Sequence, residues 1–257
     1  MSALLFEVQD LVLGVNGRTL VRDFSFRLGA GEVWCMLGPN GVGKSTFLHT
    51  AVGLREPQGG VLRLAGKPLA DWPADEAARQ RSFLPQTFHD AFSASVLECV
   101  MLGRHPYLSR WQWEGEEECD IALAALQAVD LAGFERRDLL TLSGGERQRV
   151  ALAALLAQDA PLFLLDEPVS HLDLHHQIMV LAHLGELART RGKGVLFTVH
   201  DLNLAARFAT HALLLTPQGA VRQGPIREVM NEAALRGAFG HRVTRIEAAG
   251  RTLFVPE

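Results

Sequence analysis

Gly38-Pro39-Asn40-Gly41-Val42-Gly43-Lys44-Ser45 sets the terms for the rest of the chain. The octet fits G-x-x-x-x-G-K-[ST]. The apolar run Val33–Leu37 precedes it and a helix-like stretch, 46–52, follows it, which is the context this motif requires. Its glycines let successive backbone N–H groups turn inward onto phosphate oxygens. The helix N-terminus behind them adds positive potential. Lys44 is then placed to reach β/γ-phosphates and the Ser45 hydroxyl to ligate Mg²⁺. Without its flanks the same octet is a glycine-rich turn with a surface lysine.

Leu162-Phe163-Leu164-Leu165-Asp166-Glu167 is an apolar run ending in two carboxylates. A buried parallel strand reads this way. It delivers its acidic tip to the C-terminal edge of the sheet, where ligands of α/β proteins bind. Asp166 is expected to hold Mg²⁺, directly or through water, and Glu167 to orient and polarise an attacking water. Acidic residues cap loops everywhere, so the pair gains its meaning from sharing a chain with the phosphate loop.

The N-terminal third reads as strands at 4–13, 21–28, 33–37 and 61–64. They are separated by the turn signals Asn16-Gly17, Gly29-Ala30-Gly31 and Gly59-Gly60. Residues 96–129 read as helices, with an acidic helix start at 114–118. Ile178, Leu181, Leu184 and Leu187 mark one face of a later helix that Gly192 stops, and Gly194–Thr198 is the next strand. Alternating strands and helices imply an α/β sheet. Residues 225–239 read as helix, and 242–255 as a closing hairpin around Ala249-Gly250.

Composition narrows the classes. With 257 residues the chain can bury a full core. A net charge of −4 provides no global basic field, so no nucleic-acid partner is expected. The start, MSALLFEVQD, lacks the cationic and apolar regions of a signal peptide. No apolar run approaches the roughly 20 residues of a membrane-spanning helix, so a membrane role has to go through a partner. Cys35, Cys99 and Cys119 lack metal-ligand spacing and read as free thiols. His105, His171, His175, His176 and His183 form no convincing zinc pattern.

Leu142-Ser143-Gly144-Gly145-Glu146-Arg147-Gln148-Arg149 stands at the head of a helix running to about Gln158. At this octet the chain resembles the ATP-binding cassette (ABC) ATPase family, whose signature it matches. The resemblance spans nearly the whole chain, with the motifs in the family's order. Gln86, in Leu84-Pro85-Gln86, matches the Q-loop glutamine; Ser170-His171-Leu172-Asp173 matches the D-loop; His200, in Thr198-Val199-His200-Asp201, matches the switch histidine. The resemblance implies an α/β P-loop NTPase: a RecA-like core, an N-terminal antiparallel β subdomain and an inserted helical subdomain at about 87–150, all in a single ABC ATPase domain, 1–257. It implies ATP and Mg²⁺ held by Gly38, Pro39, Asn40, Gly41, Val42, Gly43, Lys44, Ser45 and Thr46. Ser45, Gln86 and Asp166 are implied at the metal, and Lys44, Gln86, Glu167 and His200 in hydrolysis. Ser143, Gly144, Gly145 and Asp173 are implied to face the nucleotide of a second copy in a homodimer. Physics agrees for the signature, since Ser143 and the Gly144 and Gly145 amides at a helix start form an anion site. One family feature is missing. Where ABC ATPases commonly stack an aromatic residue on adenine, this chain has Val15, which offers apolar contact and no π-face.

Gly103-Arg104-His105-Pro106-Tyr107 resembles the GR-x-P-Y stretch of ATPases serving metal-chelate importers, which move cobalamin, ferric siderophores or haem; taken alone it is a proline-marked turn. That branch implies a homodimer on the cytoplasmic face of the inner membrane, under two transmembrane permease subunits fed by a substrate-binding protein. The expected order of cargoes is cobalamin, then ferric siderophore, then haem. Trp111 and Trp113 are expected either to line a groove for a coupling helix or to pack within the helical subdomain. Two other readings stay open: a soluble ABC ATPase of repair or translation, and a module that holds ATP without hydrolysing it. The first expects a long coiled-coil insertion or a second cassette, and neither is visible in the sequence. Intact Gln86, Glu167 and His200 oppose the second.

Overall fold

The strand before the phosphate loop, β3 (Val33–Leu37), is buried at every position. Its side chains alternate between two cores: Val33, Cys35 and Leu37 enter one, Trp34 and Met36 the other. This is the period-two pattern of a strand covered on both faces. The computed structural model describes residues 3–87, 93–108, 115–248 and 250–257. In it β3 lies inside a six-stranded sheet with β6 (Arg81–Leu84), β7 (Leu162–Leu165), β8 (Gly194–Thr198), β9 (His211–Leu215) and β10 (Val221–Pro225). The order is β10-β9-β3-β8-β7-β6, parallel except for the antiparallel edge strand β10. A second, antiparallel sheet has the order β2-β1-β4-β5, from β1 (Leu4–Val15), β2 (Arg18–Gly29), β4 (Gly59–Leu64) and β5 (Lys67–Pro68). Phe26 joins the two sheets, its ring 4.8 Å from Trp34 of β3 and 6.4 Å from Phe47 of α1 (Lys44–Ala51).

The other face of the central sheet carries helices. These are α3 (Val96–Met101), α4 (Glu116–Ala128), α5 (Gly144–Gln158), α6 (Leu174–Arg191) and α7 (Leu202–Phe208), while α2 (Ala74–Gln80) precedes β6. A Ser95–Glu98 capping box opens α3 and a Ser143–Glu146 box opens α5, so two orphan N-terminal donors are satisfied reciprocally at each start. The chain ends with α8 (Ile226–Val229), α9 (Glu232–Phe239) and a hairpin of β11 (Val243–Ala248) and β12 (Arg251–Pro256).

Two expectations need correcting. The helical stretch 96–129 is interrupted by a 3₁₀ segment, Leu102–Tyr107, and α4 starts at Glu116 rather than 114. Pro106 lies inside the segment and has no N–H for an α-helical bond, and Gly103 lets the segment run directly on the backbone of α5, where a Cβ would meet Ala154 O. The stretch 225–239 is not one helix. Pro225 ends β10, and Asn231 breaks the run by capping a new helix through its side chain. Trp111, Trp113, Glu114 and Ala249 lie outside the described residues.

Candidate functional site

The parallel strands β3, β7 and β8 end on one edge, and the candidate residues gather there. Between β3 and α1 the chain turns through Gly38, Gly41 and Gly43 with φ of 145°, 75° and 115°, conformations that L side chains rarely adopt. Gly38 has a second constraint: a Cβ would sit 2.6 Å from Leu215 O of β9. Lys44 opens α1 and folds back over the loop. Its Nζ donates to Gly38 O at 2.8 Å and Pro39 O at 3.2 Å, and the residue is buried. Burial lowers its pKa, while the carboxylates of Glu167 and Asp166 oppose the shift.

Thr198, the last residue of β8, organises the acidic tip of β7. Its Oγ1 donates to Asp166 Oδ1 at 2.7 Å and accepts from the Glu167 amide at 2.7 Å. Asp166 is 1% exposed. Glu167 sits in the left-handed region with φ 50°, a strain of about 1–3 kcal/mol that turns its side chain out of the strand path. Its Oε1 lies 2.6 Å from His200 Nε2. A carboxylate only accepts, so with Glu167 ionised His200 carries the proton on Nε2 and donates it.

Asn40, Gly41, Gly43, Lys44, Ser45, Thr46, Gln86, Glu167 and His200 line one cavity of about 540 Å³, with Val15 at its rim. Gly38, Pro39 and Val42 support it from within the loop, and Asp166 stands behind Glu167. Arg18 and Leu20 also line it, and sequence reasoning missed both. The signal for Arg18 was its pairing opposite Val15 across the Asn16-Gly17 turn. Thr198 flanks His200 in the sequence and carries no chemical signal of its own there.

Ser143, Gly144, Gly145 and Asp173 do not line this cavity. Ser143 caps α5 and Asp173 caps α6. A Cβ on Gly144 would meet nothing within 4 Å, whereas one on Gly145 would lie 3.1 Å from His171 O. The signature therefore presents an open backbone surface at a helix start, beside the loop that ends at Asp173.

Comparison with known proteins shows the family. The model of the ABC transporter family matches residues 21–170. The hemin import ATP-binding protein HmuV of Deinococcus radiodurans is 42% identical over 92% of this chain and 90% of its own length. The iron(3+)-hydroxamate import ATP-binding protein FhuC of Bacillus subtilis is 35% identical over 90% of this chain and 86% of its own. A solved ABC transporter described as of metal-chelate type, in an inward-facing conformation, superposes with a TM-score of 0.86 at 29% identity, covering 99% of this chain and 98% of the other. A dimeric bacterial ABC transporter cassette superposes with a TM-score of 0.75 at 27% identity, over 87% and 99%. The chain belongs to the ABC transporter family, as one of its ATP-binding, ATP-hydrolysing subunits.

Proposed function

We propose that this chain powers the import of an iron chelate, as one of two identical cassettes held by two permease subunits on the cytoplasmic face of a membrane. The observation that carries the reading is the convergence of Lys44, Gln86, Glu167 and His200 on one cavity behind the phosphate loop. ATP lies along that loop, with the Gly41 and Gly43 turns and the start of α1 receiving phosphate oxygens. Lys44 exchanges the Gly38 and Pro39 carbonyls for the β/γ-phosphates. Glu167 orients the attacking water and accepts its proton, and His200 holds Oε1 so that the second carboxylate oxygen faces the water. Ser45, Gln86 and Asp166 would hold Mg²⁺, whose charge when bound offsets that of the phosphates. The donor set fits: these are oxygen ligands with a single carboxylate. Among the described residues no group of three or more His, Cys, Asp or Glu converges, as suits an ion that keeps water and phosphate ligands.

Ser143, Gly144, Gly145 and Asp173 supply the opposite wall from the second copy. No helix among the described residues is long and apolar enough to cross a membrane, so the permease subunits form the path. They receive the cargo from a substrate-binding protein. The relatives named for hemin and iron(3+)-hydroxamate import favour haem and ferric siderophore, and cobalamin becomes the third arm of the test. Deleting the chromosomal gene and measuring uptake of labelled haem, ferric hydroxamate and cobalamin separately should abolish one of the first two. Normal uptake of all three, in a host without a redundant ATPase, removes the metal-chelate reading.

A further inference from the structure

The C-terminal hairpin stands outside both main sheets, yet one of its residues is tied to the element that follows His200. Asn203 Oδ1 accepts from Phe254 N at 2.7 Å, and Asn203 Nδ2 donates to Phe254 O at 3.3 Å. A side-chain amide thus pairs with a strand backbone as another strand would. The Phe254 ring is 3% exposed and belongs to the same core as Leu204 and Ala205 of α7. On the other side of Asn203, Asp201 accepts from the Asn203 amide at 2.7 Å and the Leu204 amide at 3.1 Å, closing the turn that begins at His200.

Upstream, His200 is well anchored, because Thr198 is paired within β8 and bonded to Asp166 and Glu167. Downstream it depends on α7, a helix of seven residues and too short to be stable by itself. A cavity of about 890 Å³ opens between Leu174 and Ile178 of α6, α7 and the hairpin. Packing against α6 is therefore incomplete on that side of α7.

We infer that Asn203 is a positioning residue: by clamping α7 to Phe254 of the C-terminal hairpin, it holds His200 in register with Glu167 for hydrolysis. The inference rests on the reading of His200 given above. A misplacement of about 1 Å can cost as much as 10²-fold in rate. Asn203→Ala, which removes both bonds, and Asn203→Leu, which keeps the volume, should each lower ATPase kcat by roughly 10-fold to 10²-fold. ATP affinity and KM should stay within about twofold, because the phosphate loop is untouched.

The test uses the full-length chain and the single and double variants with His200→Ala, measuring ATP affinity, thermal transition and single-turnover hydrolysis. If Asn203 acts through His200, Asn203→Ala costs less than about twofold once His200 is already alanine. Loss of similar size in both backgrounds, or a joint fall of ATP affinity and thermal transition, makes Asn203 structural and overturns the proposal. An inactive His200→Ala beside a fully active Asn203→Ala overturns the clamp alone. An unimpaired His200→Ala overturns the reading of the site and the clamp with it.

Discussion

Glu167 has a left-handed backbone and a carboxylate 2.6 Å from His200, a geometry that suits the general base proposed above. Glu167→Gln keeps the shape and loses the charge proposed to polarise water. Turnover should fall at least 10²-fold, the scale of a positioned general base, with ATP still bound and the closed dimer accumulating. Near-normal turnover in the variant would remove Glu167 from the mechanism. The base of the nucleotide poses a different question at the same scale, because Val15 has no π-face and Arg18 lines the cavity beside it. A guanidinium can stack where an aromatic ring is missing. Val15→Tyr should tighten ATP binding by about 1–3 kcal/mol, the worth of base stacking on an aromatic side chain, and Arg18→Ala should weaken it. Equal ATP and GTP affinities are expected of the native chain, and titration with both nucleotides checks this. The residues read from sequence were those whose chemistry depends on immediate neighbours: Lys44 behind its glycines, Glu167 at a strand tip. Thr198 and Arg18 escaped because their roles come from strand register and hairpin pairing, which bring distant positions together.

The segment 103–107 shows at the scale of elements what a short motif does physically. Gly103 lies on the α5 backbone, and Arg104 Nη1 donates to Ala157 O near that helix's end, at 2.7 Å. The same guanidinium bonds Glu118 of α4 and lies 4.2 Å from the Tyr107 ring, while Pro106 O accepts from Arg79 Nε of α2 at 2.7 Å. The motif therefore staples α2, α4 and α5, and α5 begins at the signature. Gly103→Ala forces a methyl against a backbone oxygen, and overpacking of this kind costs about 1–3 kcal/mol. Denaturant unfolding should show that loss, and a native midpoint would mean that the segment shifts freely. The strands β3, β7 and β8 match their sequence boundaries because each is a buried apolar run with clear flanks. β9 is not legible in the sequence, because five residues of His-Ala-Leu-Leu-Leu have no period that separates strand from buried helix. The stretch 225–239 reads as one helix for a related reason: Asn231 acts as a cap only once the preceding turn has ended.

For the molecule as a whole, the proposed function pairs two copies head to tail, and none of the described signature residues lines the phosphate-loop cavity of its own chain. Gly144 allows this to be tested without damaging the fold. A Cβ there meets no atom within 4 Å, so Gly144→Asp should leave the thermal transition and ATP binding by the monomer close to native. It places a negative charge where a γ-phosphate is expected, and hydrolysis should fall to background. Lys44→Ala disables the opposite half by removing the cation from the phosphate loop. Each variant alone builds dimers in which both sites are defective. Mixed in equal amounts, they form heterodimers with one doubly defective site and one wholly native site. The mixture should regain a measurable fraction of native ATPase activity that neither variant has alone. Recovery should rise and fall with the mixing ratio and peak near equal amounts. An inactive mixture, with both variants folded and shown by size to exchange partners, would place the signature somewhere other than the partner's phosphate loop.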